Sequence, residues 1–150
     1  MFSLSVGLER TGENGERYLA GKIVVGEFEE SFRACLCYWD KNDYECRWRL
    51  AAEMLSAPFP RPAAFITNIH KPKGFGHMIW WPAWREGASI VLQNQHLRMS
   101  KLRPLFDPKT PFAHLPPRRC LDEDGPPSEW TVPLQDIREF HAALSRRKGK

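Results

Sequence analysis

The 150-residue sequence predicts an α+β fold: a twisted antiparallel sheet of five to six strands packed against one central helix, with a C-terminal helix closing one side. Three observations predict this class. An alternating apolar pattern opens the chain, apolar residues at helical spacing follow, and several short apolar runs come after them. With 42% hydrophobic residues the chain is long enough for one core and short for two, so residues 1–150 are predicted to form a single domain.

The N-terminal segment has the pattern of a β-hairpin. Apolar residues occupy every second position, which is the period of a half-buried strand, at Phe2, Leu4, Val6 and Leu8. Asn14 and Gly15 both tolerate positive φ and predict a turn. Residues 18–25 then predict the partner strand, and Gly26 interrupts the alternation as expected at a bulge or bend.

Residues 43–56 form the clearest predicted helix. Five side chains fall on a single apolar stripe at i, i+4, i+7, i+8 and i+11: Tyr44, Trp48, Ala51, Ala52 and Leu55. Asn42 is a suitable N-cap, and Glu45 three residues later can complete a capping box. Pro58 prevents the helix from continuing.

The second half of the chain predicts three more strands and one more helix. The strands are residues 63–69, 78–84 and 89–97. Pro82 cannot donate to a ladder, which places its strand at an edge or at a bulge. Residues 104–127 are proline-rich and predict an irregular loop. Pro133 can occupy the first turn of a last helix that has an apolar face.

The net charge of +4 is unevenly distributed. Residues 67–119 carry nine basic and two acidic groups, whereas residues 120–145 carry one basic and six acidic groups. Residues 146–150 add four basic groups in a tail that is expected to be mobile. Segregated charge of this kind predicts surface patches that meet a partner, rather than general binding to nucleic acid.

The cysteine spacing, the apolar runs and the N-terminal segment indicate the cellular compartment of the protein. Four cysteines (Cys35, Cys37, Cys46, Cys120) are too few and too irregularly spaced for a disulfide scaffold. Cys35 and Cys37 on a strand would point to opposite faces, and C-x-C departs from the spacing of structural zinc sites. Buried thiols, no metal and no cofactor are therefore predicted. No run approaches the roughly 20 apolar residues of a membrane span, and no signal-peptide pattern is present, which favours a cytoplasmic protein.

The sequence carries none of the common motifs of serine hydrolases, metalloproteases or phosphate-binding loops. His70 and His77 flank one predicted hairpin and could lie near each other across it. Lys71 and Lys73 could then stabilise a phosphate, as in a two-histidine ribonuclease. Because His70 and His77 are more simply explained as exposed turn histidines, the prediction is no catalytic residue and no enzymatic activity.

Residues 71–119 support an alternative function. Nine basic residues in this segment are interleaved with aromatic side chains, so charge could hold phosphates while a base stacks on a ring. No recognised RNA-binding signature accompanies them. A small RNA-binding or RNA-processing protein is therefore the second hypothesis.

Three groups of residues are candidates for contact with a protein partner. Trp80 and Trp84 share one strand face and Trp81 the other, so at least one is expected near the surface unless both faces are covered. The other two groups are acidic, and complementary charge raises association rate and specificity. They are Asp122, Glu123 and Asp124, and Glu27, Glu29 and Glu30.

A spaced set of glycines and aromatic residues carries a family resemblance. It begins with Gly21-x-Ile23-x-x-Gly26-x-Phe28-x-Glu30-x-Phe32 and continues with Trp39, Tyr44 and Trp48. Further matching positions are Ala64-x-Ile66-Thr67, Trp80, Gln95, Ser128-x-Trp130 and Asp136-Ile137-x-x-Phe140. The pattern resembles the soluble immunity proteins of bacterial contact-dependent growth inhibition systems.

The resemblance implies a stoichiometric inhibitor in the cytosol. Such a protein binds the C-terminal toxin domain delivered by a neighbouring cell and blocks its active site, and a nuclease is the expected toxin here. The resemblance transfers no catalytic residue and no contact residue, because contacts differ from one toxin–immunity pair to the next. No membrane partner and no nucleic-acid partner are expected.

Overall fold

The computed structural model describes residues 1–70, 77–98, 112, 115, 118 and 128–148. Within these residues the chain forms eight strands and two helices. In chain order they are β1 (Phe2–Thr11), β2 (Arg17–Val25), β3 (Phe28–Cys35), α1 (Lys41–Ser56), β4 (Ala63–Ile69), β5 (His77–Glu86), β6 (Ser89–Gln93), β7 (Gln95–Arg98), β8 (Glu129–Pro133) and α2 (Leu134–Lys148). The predicted α+β class is confirmed. The described strands divide into two antiparallel sheets of three and five strands, where the sequence predicts one sheet of five to six.

The three-stranded sheet consists of β1, β2 and β3 in chain order. The predicted turn between β1 and β2 is present. Gly15 has a φ of 79°, and the Gly12 N–H donates to the Glu16 carbonyl across the loop (2.7 Å). The pairing irregularity of this hairpin falls between Val6 and Glu9 of β1, where the register shifts.

The connection between β2 and β3 is a tight turn of two residues. Val25 pairs with Phe28, which leaves Gly26 and Glu27 as the loop. The φ of Gly26 is 65°, and a type II′ hairpin turn requires a glycine-like conformation at its first loop position. Gly26 thus reverses the chain, where the sequence predicts a bulge or bend.

The five-stranded sheet places β4, β5, β6 and β8 side by side, and β7 also pairs with β5. β5 is therefore an interior strand rather than an edge. On one side of β5, pairing with β7 ends where Trp80 faces Gln95, and pairing with β6 begins where Ala83 faces Leu92. Pro82 lies in this interruption, which accommodates the missing backbone N–H.

Helix α1 begins two residues earlier than the sequence predicts. Asp40, rather than Asn42, is the N-cap: its Oδ1 accepts from the Asp43 N–H (2.8 Å). The Asp43 carboxylate accepts in turn from the Asp40 N–H (3.0 Å), which completes a capping box with these two residues. The predicted apolar stripe is confirmed, since all of its side chains are buried: Tyr44, Trp48, Ala51, Ala52 and Leu55.

The segment before α2 contains a strand that the sequence does not predict. β8 pairs with β6, with Val132 opposite Ile90. Pro133 is the last residue of β8, and α2 begins one residue later. The predicted apolar face of this last helix is confirmed by the burial of Leu134, Ile137, Phe140 and Leu144.

One cluster of buried side chains joins both sheets and both helices. At its centre the ring of Phe2 from β1 lies 4.9 Å from Phe65 of β4 and 5.1 Å from Phe140 of α2, between centroids. The amino group of Met1 also lies 2.9 Å from the carboxylate of Asp136 on α2. In the described part of the chain, no helix is both long enough and apolar enough to cross a membrane.

Candidate partner-binding surface and thiol–histidine cluster

The three tryptophans of β5 are all buried. Their exposed fractions are 3% for Trp80, 1% for Trp81 and 8% for Trp84. Phe65 lies opposite Trp81 on one face of the sheet and Ile66 opposite Trp80 on the other, and both partners are buried as well. Because both faces of β5 are covered, the exposed tryptophan that the sequence leads us to expect is absent. Contact of these residues with a partner stays a prediction.

The acidic hairpin consists of Glu27, Glu29 and Glu30 and lies where β2 turns into β3. All three side chains are exposed. Glu29 pairs with Lys22 of β2 (2.7 Å), and both side chains of this pair are about half exposed. Glu27 and Glu30 form no ion pair with another described residue, so they add negative charge at the surface.

Phe28, next to the turn, anchors the acidic hairpin on the five-stranded sheet. Its ring lies 4.6 Å from Trp130 of β8 and 6.2 Å from Trp81 of β5, between centroids. The two tryptophan rings are themselves 5.0 Å apart. This aromatic cluster fixes the end of the three-stranded sheet against the five-stranded one, so the carboxylates project from a supported turn.

The second acidic group, residues 122–124, lies outside the described residues. Glu129, a later acid of the same region, is engaged in an ion network. Arg118 donates from Nε to Glu129 Oε2 (3.0 Å), and its guanidinium also pairs with Glu86 (2.7 Å). The hydrogen bond from Arg118 is the main cause that lowers the pKa of the Glu129 carboxyl below its usual value.

Arg85 and the tryptophans bear on the RNA-binding hypothesis. Arg85 donates from Nη1 to the carbonyls of Ala57 (3.0 Å) and Leu55 (3.4 Å), so it satisfies the C-terminal end of α1. The β5 tryptophans are buried and present no ring for a base to stack on. Most other basic residues of segment 71–119 lie outside the described residues. The tryptophans of the described part of the segment therefore offer no stacking platform for RNA.

The histidine pair that the sequence singles out is close in space, as predicted. The rings of His70 and His77 are 4.0 Å apart, and His77 is 5.0 Å from His96, between centroids. Burial lowers the pKa of His70, and burial together with the neighbouring imidazoles lowers the pKa of His77. The lysines proposed to assist a ribonuclease reaction, Lys71 and Lys73, lie outside the described residues.

Cys35 and Cys37 form a disulfide, which corrects the prediction of buried thiols at these positions. β3 ends at Cys35 and a turn covers residues 36–38, so the two side chains do not alternate across a strand. The turn also brings Cys37 Sγ to 3.9 Å from His70 Nδ1. We call Cys35, Cys37 and His70 the thiol–histidine cluster. Cys120 lies outside the described residues.

Two apolar side chains are strongly exposed: Phe59, which sequence reasoning overlooked, and Leu8, which the predicted alternation of β1 wrongly placed on the buried face. Phe59 is 90% exposed in the proline-rich connection between α1 and β4, and Leu8 is 82% exposed at the register shift of β1. The available signal for Phe59 was its position between Pro58 and Pro60, outside any apolar periodicity. Aromatic side chains, phenylalanine included, are enriched in the cores of protein–protein interfaces.

Taken together, these observations define a small α+β protein that has a supported acidic turn and two exposed apolar side chains on its surface. The family model for the CdiI N-terminal domain matches residues 34–140. This chain therefore belongs to that family, and the resemblance drawn from its glycines and aromatics is confirmed.

A related protein and a solved structure extend the match to nearly the full chain. Immunity protein CdiI of Enterobacter cloacae subsp. cloacae is 25% identical over 147 residues, which cover 97% of this chain and 99% of that protein. A chain of the CdiA-CT/CdiI toxin and immunity complex from Enterobacter cloacae has 26% sequence identity and a TM-score of 0.83. That structural match covers 97% of this chain and 99% of the matching one.

Proposed function

We propose that this chain is an immunity protein that binds and neutralises the C-terminal toxin domain of a cognate CdiA protein. One observation supports this above the others: the full-length similarity in fold to a chain from a toxin and immunity complex. Inhibition is stoichiometric rather than catalytic, and it takes place in the cytoplasm, where a delivered toxin would act.

The charge of the surface suggests how the toxin is held. We infer that the toxin is a nuclease, whose substrate groove must be cationic because it binds phosphates. The acidic hairpin offers three exposed carboxylates on an aromatic support. Residues 122–124 offer three more acidic groups in sequence. Carboxylates placed over a cationic groove exclude the substrate and also raise the association rate.

Growth protection tests the function. The C-terminal toxin domain of the CdiA protein whose gene we expect directly upstream is expressed from an inducible promoter in a bacterial host, with and without this chain. Growth is expected to be restored only when the chain is present, because neutralisation requires the protein itself. An unrelated toxin domain serves as the control and should remain lethal. Failure to protect, while the chain accumulates in folded form, would contradict the proposal.

A further inference from the structure

The thiol–histidine cluster has the donor set of a zinc site. One ligand atom from each of Cys35, Cys37 and His70 lies within 4.8 Å of the others. In a tetrahedral site with Zn–S near 2.3 Å and Zn–N near 2.0–2.1 Å, the ligand atoms are separated by about 3.5–3.8 Å. The distance of 3.9 Å between Cys37 Sγ and His70 Nδ1 is already close to that edge length.

The backbone that carries these ligands is held by a buried tyrosine. The Tyr44 hydroxyl donates to the Cys35 carbonyl (2.7 Å) and accepts from the Ile69 N–H (3.3 Å). The Cys35 N–H in turn donates to Asn68 Oδ1 (3.0 Å). The ends of β3 and β4 are therefore tied together on both sides of the cluster. Such ties fix Cys35 and the residue before His70 in place whether or not a ligand is bound.

We propose that the reduced protein binds one zinc ion through Cys35 Sγ, Cys37 Sγ and His70 Nδ1. Reduction occurs by exchange with a dithiol reductant: the S–S bond breaks, two thiols form, and the reductant becomes a disulfide. Zinc then displaces the two thiol protons and is held by two thiolates and one neutral imidazole. The disulfide form has no thiolate to offer, so metal binding depends on the redox state.

Access to the site is provided by Cys37. Its side chain is exposed in the turn, whereas Cys35 is buried and His70 is half-buried. Rotation of the Cys37 side chain can therefore open the distance between the sulfur atoms without moving β3. The exposed side leaves the fourth tetrahedral position to water, as in sites that have three protein ligands.

Cobalt(II) is the probe for this site, because its thiolate complexes absorb light and zinc displaces it. After treatment with a phosphine reductant, the full chain is expected to develop a thiolate-to-cobalt band that saturates at one equivalent. Adding one equivalent of zinc should remove the band. The oxidised chain should show none, and a band of equal size in both redox states would overturn the proposal.

Variants separate the site from adventitious binding. Cys37→Ser and His70→Gln should each weaken zinc binding by more than about tenfold, since losing even an outer-shell partner costs 10–100-fold. Cys46→Ser is the matched control, because Cys46 lies on α1 outside the cluster, and it should bind as the parent does. Cys37 is exposed, so its replacement leaves the core intact and circular dichroism verifies the fold. Unchanged affinity in Cys37→Ser or in His70→Gln would refute the assignment.

Discussion

The two sheets place their residues in opposite environments. β4 and β5 of the five-stranded sheet are buried along almost their whole length and on both faces. In the three-stranded sheet, buried side chains are confined to the start of β1 and to a few positions of β2, and β3 is exposed or half-buried until its last two residues. From this difference we expect substitutions in β4, β5 and α1 to change stability. Substitutions on the acidic hairpin should change binding without changing stability.

The largest effect is expected from Trp48→Ala. Trp48 is fully buried on α1, and its Nε1 donates to the Ile66 carbonyl of β4 (2.7 Å). Replacing it with alanine should lower the free energy of unfolding by about 3–5 kcal/mol, because a large cavity remains. Urea denaturation followed by circular dichroism measures this loss. A loss below about 1 kcal/mol, typical of a surface site, would break the contrast between the sheets.

This contrast was only partly predictable from sequence. The α1 stripe was predictable because Tyr44, Trp48 and Leu55 follow a period that local geometry imposes. The burial of both Trp80 and Trp81 was not predictable, because alternation gives the face on which each residue lies but not what covers that face. β8 was missed because it is short and has a single buried side chain, Val132.

The candidate site was less predictable than the fold. The exposed glutamates of the acidic hairpin could be found from sequence, because a charged run beside a glycine turn is exposed. The pairing of Cys35 with Cys37 could not be found from sequence, since it depends on where β3 ends. The approach of His70 to Cys37 depends on the packing of β3 beside β4, and local sequence carries no signal for that contact.

An intermediate effect is expected from Gly21→Ala on β2. A Cβ at this position would lie 2.4 Å from ring atoms of Phe32, so the ring must move. Phe32 packs edge-on against Trp48 (6.4 Å between centroids), and its displacement should therefore disturb the core. A loss of about 1–3 kcal/mol in the free energy of unfolding is expected.

Gly7→Ala is the matched control for this change. Gly7 is also a strand glycine of the three-stranded sheet, but a Cβ there would meet only the Ala20 carbonyl oxygen at 3.6 Å. Its unfolding free energy should stay unchanged or rise slightly, because alanine restricts the unfolded chain. Equal losses in the two variants would show that Phe32 is not the cause.

The smallest effect, and one confined to binding, is expected from Glu27→Lys in the acidic hairpin. The substitution should slow association with the cognate toxin by up to about tenfold at low salt, and less at high salt, because it removes attraction to the cationic groove proposed for the toxin. Stopped-flow association rates at several salt concentrations measure it. Thermal unfolding should be unchanged, since Glu27 is exposed and forms no described ion pair.

Glu13→Lys provides the comparison for that change. Glu13 is an exposed loop residue of the same sheet, at the opposite end of β2, and the charge change is identical. The Glu13→Lys variant should associate at the parental rate.

Reversing the three acidic charges of residues 122–124 tests the second acidic group in the same assay. Unchanged affinity and salt dependence in that variant would remove those residues from the proposed interface.

The most direct test of the central claim is a titration of the activity of the cognate toxin domain with this purified chain. The account predicts that toxin activity falls in proportion to the added chain and reaches zero at one equivalent, as the proposed coverage of one active site by each chain requires. Activity that persists at several equivalents, with the chain folded, would contradict the claim.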